Sequence, residues 1–508
     1  MANWISGLLA GIRSNRKAED SKMRAKMNAE IRRLQAARWD RFTSSWQATT
    51  ESINAELKTD LNATRARARD LVKNNEYAHK FVKMCVANIV GPAGFILQGR
   101  ARGNNNQLDR ADNDALELAF WRWSKRGVCE ITGQMSFAGL CRAILAGCPT
   151  DGEFLVRKII GRAADNEFQF ALQLIDVDRL ATNLNTPRKK DRNAIVMGVE
   201  INQWGKPLAY HILDKHPSEG GQMLAERVDA SEIIHGFVVE HAEQRRGLPW
   251  MTSAILSMHH LGRFEESALL AARKGADTIG FFVSPDGSAA TLADEGTADE
   301  PITVSAPGTY DTLPEGFEFR PFDTKYPDAM VADFTKGFLR RMASGMNVTY
   351  HGLANDLAGV NYSSIRAGVI EERDQWMTLQ SWFIESFLSP VYEAWLQQAL
   401  LAGVVRLPSG SPLPPTRFDK FREHHWQGRR WQWVDPAKDI AAARDSVLSG
   451  VLSPQMIAAQ QGVDIEDVLD DIRRFEEMTS DISSISYGQP SAPATPTPAP
   501  PAEPAADE

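Results

Sequence analysis

The chain has 508 residues, 43% of them hydrophobic and 24% charged, with a formal net charge of −8. That length and apolar content are enough for two to four domains with cores of their own. The acidic balance argues against a protein that grips a duplex tightly, because such a protein carries a basic face; a mildly acidic surface repels a passing phosphate backbone and keeps it from sticking.

Four cysteines, Cys85, Cys129, Cys141 and Cys148, are too few and too scattered for a disulfide framework, and the Cys141–Cys148 gap does not suit a zinc pair. Reduced thiols are expected. No apolar run approaches the ~20 residues of a membrane span. Met1 to Ile12 has neither the basic start nor the long apolar stretch of a signal peptide, so none is expected.

In chain order, residues 13–60 are rich in Arg, Lys, Ala, Gln and Glu, with Met23, Met27, Ile31 and Leu34 at helical spacing. Trp39, Phe42 and Trp46 share one face, which predicts an arm that docks on something. Residues 61–90 read as one helix, stopped by Gly91-Pro92. Residues 107–126 and 136–148 read as two more, with Leu116, Phe120 and Trp123 on the apolar side of the first. From Gly152 the period changes. Phe154, Val156 and Ile159, then Phe168, Phe170, Leu172 and Leu174, mark β segments broken by Gly161 and Asp165-Asn166, and 195–199, 208–213 and 233–239 continue them. The pattern predicts an α+β domain on a mainly antiparallel sheet.

Pro249 opens a predicted helix that runs to about Ala276. His259 and His260 within it point about 100° apart and cannot chelate one ion together. Residues 277–326 hold Gly, Pro and Thr with short apolar runs, which predicts small strands in a compact insertion, and a helix follows over 327–345. A long helix is predicted from near Ser364 to about Ala402, kinked at Pro390, and it is the most aromatic segment: Trp376, Trp382, Phe383, Phe387, Tyr392 and Trp395. Residues 417–434 interleave Arg422, Arg429 and Arg430 with Phe418, Phe421, Trp426, Trp431 and Trp433. Such a mixture fits a single-strand platform or, more simply, aromatics returning to the core. Helices are expected after Asp435-Pro436, Ser453-Pro454 and Ile465. Residues 488–508, with seven prolines, read as a disordered tail.

The stretch from Gly345 to Trp376, GMNVTYHGLANDLAGVNYSSIRAGVIEERDQW, organises the rest. Lys336, Arg340 and Arg341 lie in the last turns of the helix before it. A polar, glycine-dotted loop follows, and Ser363 and Ser364 stand before the long helix, where short polar side chains favour a start. With Gly345, Val348, Tyr350, Leu353, Tyr362, Ser363, Arg366 and Ala367 in place, this stretch resembles the most characteristic part of the portal proteins of lambda-type tailed bacteriophages. Ala66 to Val90 resembles that family's opening helix. His235 to Ala254, including Gly247, resembles its "IHxFxxxxxxQxRG" turn. The three matches keep their order over roughly residues 60–480. The chain before residue 60 and after 480 shows no match.

The resemblance implies an α+β portal fold with an α/β wing, a helical stem, a small α/β clip, a long tunnel/wing helix and a helical C-terminal crown. Its expected divisions are a helical arm (1–60), the wing (61–248), a first stem helix (249–276), the clip (277–326), a second stem helix (327–345) and a tunnel loop (346–363). The long helix and return to the wing (364–434), the crown helices (435–480) and the tail (481–508) follow. It further implies a non-enzymatic ring, of twelve subunits, at one capsid vertex, with no cofactor, metal or membrane. DNA would pass through it without sequence readout during packaging and ejection. The ring would nucleate procapsid assembly, and its partners would be the terminase large subunit, head-completion and tail proteins, and the major capsid and scaffold proteins. It would reside in the virion, and in the host cytoplasm during assembly. His351, Asn355, Asp356, Asn361 and Tyr362 would face the DNA, and Lys336, Arg340 and Arg341 would line the channel or bridge subunits. Gly345, Val348, Tyr350, Leu353, Ser363, Arg366 and Gly247 would be structural.

The chemistry of enzymes is thin. There is no G-x-x-x-x-G-K-[ST] loop, dinucleotide fingerprint, H-E-x-x-H or G-x-S-x-G. One alternative stands: Asp151, Glu153, Asp176 and Asp178 form two i, i+2 pairs, each with both acids on one strand face, as a metal-dependent DNA hydrolase would need.

Overall fold

The computed structural model describes residues 50–277, 280–283, 318–321, 330–358, 361–431, 436–461 and 465–479. Most of the arm expected over 1–60, most of the insertion over 277–326 and the tail over 481–508 lie outside the described residues.

The stretch read as one helix over 61–90 is two, α1 (Ile53–Asn74) and α2 (Glu76–Ile89). Asn75 makes the break. It is extended, at φ −129° and ψ 127°, and its side chain accepts hydrogen bonds from the Tyr77 and Ala78 N–H groups, so an N-cap sits inside an unbroken apolar period. Then come β1 (Ile96–Gly99), α3 (Arg110–Trp123) and α4 (Phe137–Asp151). Ser136 caps α4, and Gly152, left-handed at φ 79°, ends it.

The strands β2 (Glu153–Ile160), β3 (Phe170–Ile175), β4 (Ala194–Val196), β5 (Val199–Ile201), β6 (Pro207–Leu213), β7 (Ala225–Asp229) and β8 (Ile233–Phe237) follow. They make a three-stranded sheet in the order β3-β2-β8 and a four-stranded meander β4-β5-β6-β7. Every pairing in both is antiparallel, as the alternation predicted. The central strand β2 is covered on both sides. Phe154 and Val156 enter the main core, while Leu155 enters a smaller one with Ile175, Val199, Tyr210 and Ile212. Period-2 alternation lets one strand feed two cores.

The next helix, α5 (Ile255–Asp277), starts later than Pro249. Residues 250–254 form turns. The Thr252 hydroxyl donates to the Pro249 carbonyl at 2.5 Å and the Ser253 hydroxyl to the Gly345 carbonyl at 2.6 Å, the local competition that keeps such side chains out of helix interiors. Then follow β9 (Gly280–Val283) and β10 (Glu318–Pro321), which pair antiparallel, α6 (Met330–Gly345) and the short α7 (Tyr350–Ala354).

The long aromatic helix is α8 (Tyr362–Phe383) and α9 (Ser389–Leu401), joined by a π turn over Ile384–Leu388. Pro390 offers no N–H, and its ring crowds the carbonyl four residues back. The widened turn relieves this, with the Ser389 N–H reaching the Ile384 carbonyl. A short α10 (Phe418–Phe421), β11 (His424–Gln427), α11 (Pro436–Leu448), α12 (Pro454–Gln461) and α13 (Ile465–Thr479) complete the elements of the described residues. β11 pairs with β1. That pairing buries Trp426, and α10 buries Phe421, so these two aromatics serve the core and form no open platform. Phe120 lies 5.0 Å from Trp395 and 5.5 Å from Trp426, and Phe137 stacks at 6.1 Å on Phe387. All four cysteines are free and buried. Among the described residues no helix is long and apolar enough to cross a membrane.

Candidate functional site

The segment after α6 is built from its buried residues outward. Gly345 ends α6 against Ser253, whose hydroxyl would lie 2.9 Å from any Cβ there. Met346, Val348 and Leu353 are buried, and Asn347 takes the left-handed backbone at φ 54°. Thr349 caps α7. Its hydroxyl accepts from the Gly352 N–H at 3.2 Å and donates to Glu372 Oε2 at 2.6 Å. The Thr349 N–H donates to the same oxygen at 3.1 Å, and Trp376 Nε1–H donates to Glu372 Oε1 at 3.1 Å. Glu372 of α8 therefore clamps the start of α7.

The polar end of α7 is one connected network. The Tyr350 hydroxyl donates to Asp356 Oδ2 at 2.6 Å, Lys336 Nζ lies 3.3 Å from that oxygen, and the Ala358 N–H donates to Oδ1 at 2.9 Å. These donors, Tyr350 first, bring the Asp356 carboxyl down to about 2. Burial, and then the Asp356 acceptor, push the Tyr350 phenol up to about 12. The Arg340 guanidinium lies 5.5 Å from the centre of the Tyr350 ring. His351 Nδ1 is 2.7 Å from the Asp356 carbonyl. Asn355 is left-handed at φ 54°, and its amide oxygen accepts from Lys80 Nζ at 3.0 Å.

The exposed polar loop expected over 346–363 therefore needs correction. It holds a helical turn with three apolar side chains inside the core, because Val348 and Leu353 anchor it and Glu372 caps it. Of the residues expected to face DNA, His351, Asn355 and Asp356 meet in this network, and Asn361 is exposed just before α8. Tyr362 and Ser363 are the first residues of α8. Lys336 and Arg340 turn toward Asp356 and Tyr350, Arg341 is exposed and Arg366 is half-buried. Gly359 and Val360 lie outside the described residues.

The second set of polar residues lies beneath β2. Glu153 is fully buried. Arg246 Nη2 sits 2.7 Å and Arg65 Nη2 2.8 Å from its Oε1. The Arg246 pair is also a hydrogen bond, through Nε at 2.7 Å. The Arg65 contact is close without hydrogen-bond alignment. Oε2 accepts from the Gly247 N–H at 2.6 Å and lies 3.1 Å from His235 Nε2. Burial opposes ionisation, but Arg246, Arg65 and His235 together hold this carboxyl well below its ordinary range. Gly247 has no room for a side chain, since a Cβ would lie 2.2 Å from the Gly152 carbonyl oxygen.

This geometry gives the metal-hydrolase alternative no support. Glu153 is saturated by cations, and Arg69 lies against both Asp151 and Asp178. Asp176, Asp178 and His216 do bring ligand atoms within 4.8 Å of one another, but a guanidinium already on Asp178 opposes a metal there. The reading of the residues missed Glu372, Arg65 and Arg246. The available signals were the arginines at 65 and 69, one turn apart on a helix, and the Arg-Gly pair at 246–247.

The family model described as "Phage portal protein, lambda family" matches residues 40–380. The chain is 34% identical over 464 residues to the "Probable portal protein" of Halomonas phage phiHAP-1, covering 88% of this chain and 87% of that one. It is 23% identical over 463 residues to "Portal protein B" of Escherichia phage lambda, covering 84% and 85%. Among solved structures, a chain in the neck of an empty GTA particle gives a TM-score of 0.42 at 15% identity over 80% of this chain and 94% of that one, too loose a likeness to bear on the fold. With the match running from before α1 into α8, through the Glu153 cluster and the Thr349–Asp356 network, the chain belongs to the lambda family of phage portal proteins.

Proposed function

We propose that this portal protein closes into a ring of twelve subunits at one capsid vertex, through which DNA is packaged and ejected. The observation that carries this is the family match over residues 40–380. The role is structural. The ring nucleates procapsid assembly, docks the terminase large subunit and later the head-completion and tail proteins, and meets the major capsid and scaffold proteins. It assembles in the host cytoplasm and remains in the virion. Within it, 61–248 forms the wing, α5 and α6 the stem, 277–326 the clip, 346–363 the loop beside the channel and 435–480 the crown.

Local geometry supports the stem reading. Phe264 of α5 and Phe334 of α6 pack with ring centres 4.8 Å apart, and β9 pairs with β10 beyond them. Leu256, Leu269 and Leu270 of α5 and Phe334 remain exposed, which fits helices that finish their packing on a neighbouring subunit. Exposed Asn355 and Asn361 suit weak, sequence-blind contacts with a phosphate backbone.

The test is the mass and shape of the purified protein. Light scattering should give about 680 kDa for twelve copies of a 56.4 kDa chain, and negative-stain images should show rings with a central hole. A monomer that stays monomeric with capsid and scaffold proteins present would overturn the reading.

A further inference from the structure

A cleft of about 500 Å³ opens where the end of α1, one side of α2 and the end of α7 meet. Lys73 lines it from α1, and His79, Lys80 and Lys83 line it from α2. Positions 76, 79, 80 and 83 recur at helical spacing, so a single stripe of α2 faces the cleft. Among the described residues Glu76 is the only carboxylate in the lining. Lys80 is held by the Asn355 amide oxygen at 3.0 Å, a neutral acceptor that fixes its position. Three ammonium groups thus outnumber Glu76 and the neighbouring Glu265, which lies close enough to act on Glu76 and Tyr77, in a chain whose net charge is −8.

Such a concavity selects an anion. Its donors are ammonium and amide groups, which hold an anion as point charges and not through a guanidinium fork. Compact point charges on flexible stems suit tetrahedral phosphate, and phosphate contacts position a backbone without reading its sequence. We infer that this cleft binds phosphate diester groups of the nucleic-acid backbone through Lys73, Lys80 and Lys83. An arriving phosphate competes with Asn355 for Lys80 and so reaches the left-handed residue that ends α7. This rests on the reading that 346–363 lies beside the channel.

The experiment uses assembled full-length rings. Duplex DNA binding is measured against salt for the wild type, for Lys80→Gln/Lys83→Gln and for Lys80→Arg/Lys83→Arg, and lysine acylation is mapped by mass spectrometry with and without DNA. The slope of log affinity against log salt should become shallower by about 0.9 for each lysine removed. The arginine pair should keep the wild-type slope, and DNA should protect Lys80 and Lys83 from acylation. Inorganic phosphate, tested alone, separates the two sources of this chemistry. Protection by millimolar phosphate without protection by DNA assigns the cleft to the free ion and overturns the backbone reading. Lysines already protected in the ring and released on its dissociation would show a neighbouring subunit in the cleft, and would overturn it too. An unchanged slope in Lys80→Gln/Lys83→Gln, in rings that bind DNA normally, removes this site and leaves the proposed function standing. Rings that bind no DNA even at low salt would remove this site, while the ring reading stands or falls on the mass and shape of the particle.

Discussion

Glu153→Gln should destabilise the wing far more than a change of one oxygen for one nitrogen suggests. Glu153 is completely buried and its carboxylate neutralises Arg246 and Arg65, themselves buried. An amide leaves the buried Arg246 guanidinium without a carboxylate partner and Arg65 with only Asp178, at 3.8 Å, and it turns a donor toward one of them. Breaking a buried pair from one side costs about 3–5 kcal/mol, against which a surface pair would cost under about 1 kcal/mol. Guanidinium denaturation, followed by tryptophan fluorescence at one fixed protein concentration, measures this, since subunit association otherwise shifts the midpoint. Adding Arg246→Met should recover part of the loss, because one orphaned charge then goes. The sign with pH is also set. The folded carboxyl lies well below its ordinary value near 4.5, so its contribution is complete above that pH and disappears as the pH falls through the depressed value. The gap between wild type and variant should therefore be flat from pH 7 to 5 and narrow below about 4. A cost below about 1 kcal/mol for Glu153→Gln, or a double variant less stable than the single, would refute the argument.

Two further outcomes follow from the same geometry. Gly247→Ala should lower the denaturation midpoint, at a cost of about 1–3 kcal/mol or more, because its Cβ would meet the Gly152 carbonyl at 2.2 Å; a variant as stable as the wild type would mean these two backbones do not touch. Tyr350→Phe removes the first of the donors that bring the Asp356 carboxyl to about 2, so carbodiimide labelling of Asp356 should begin at a higher pH than in the wild type. An unchanged onset would show that Ala358 and Lys336 suffice.

The elements with strong periods were legible in the sequence: the aromatic long helix, the alternating strands, and the helix starts at Pro436, Pro454 and Ile465. What stayed hidden depends on partners distant in the chain. Glu153 reads as a strand-end acid because acids are rarely buried unless paired, and its partner Arg246 is 93 residues away. Thr349 and Glu372 stand 23 residues apart on two helices whose relative placement no local pattern fixes. Gly352, Asn355 and Asp356 suggested an exposed loop by composition, yet Val348 just before them and Leu353 among them are core residues. Asn75 escaped notice for a different reason. The apolar spacing continues across it, so only its capping side chain marks the break.

The π turn at Ile384–Leu388 makes length, and not only composition, a determinant of this core. It adds a residue to the winding between two halves that pack on different neighbours. Phe383 meets Phe95 and Phe154 before it, and Trp395 meets Phe120 and Phe168 after it. Removing one residue from the turn would swing every later side chain by about 100° about the axis. Trp395 and Leu396 would leave their sites together. A substitution at either leaves a hole that neighbours can partly close, whereas a one-residue deletion puts the whole downstream stripe out of phase.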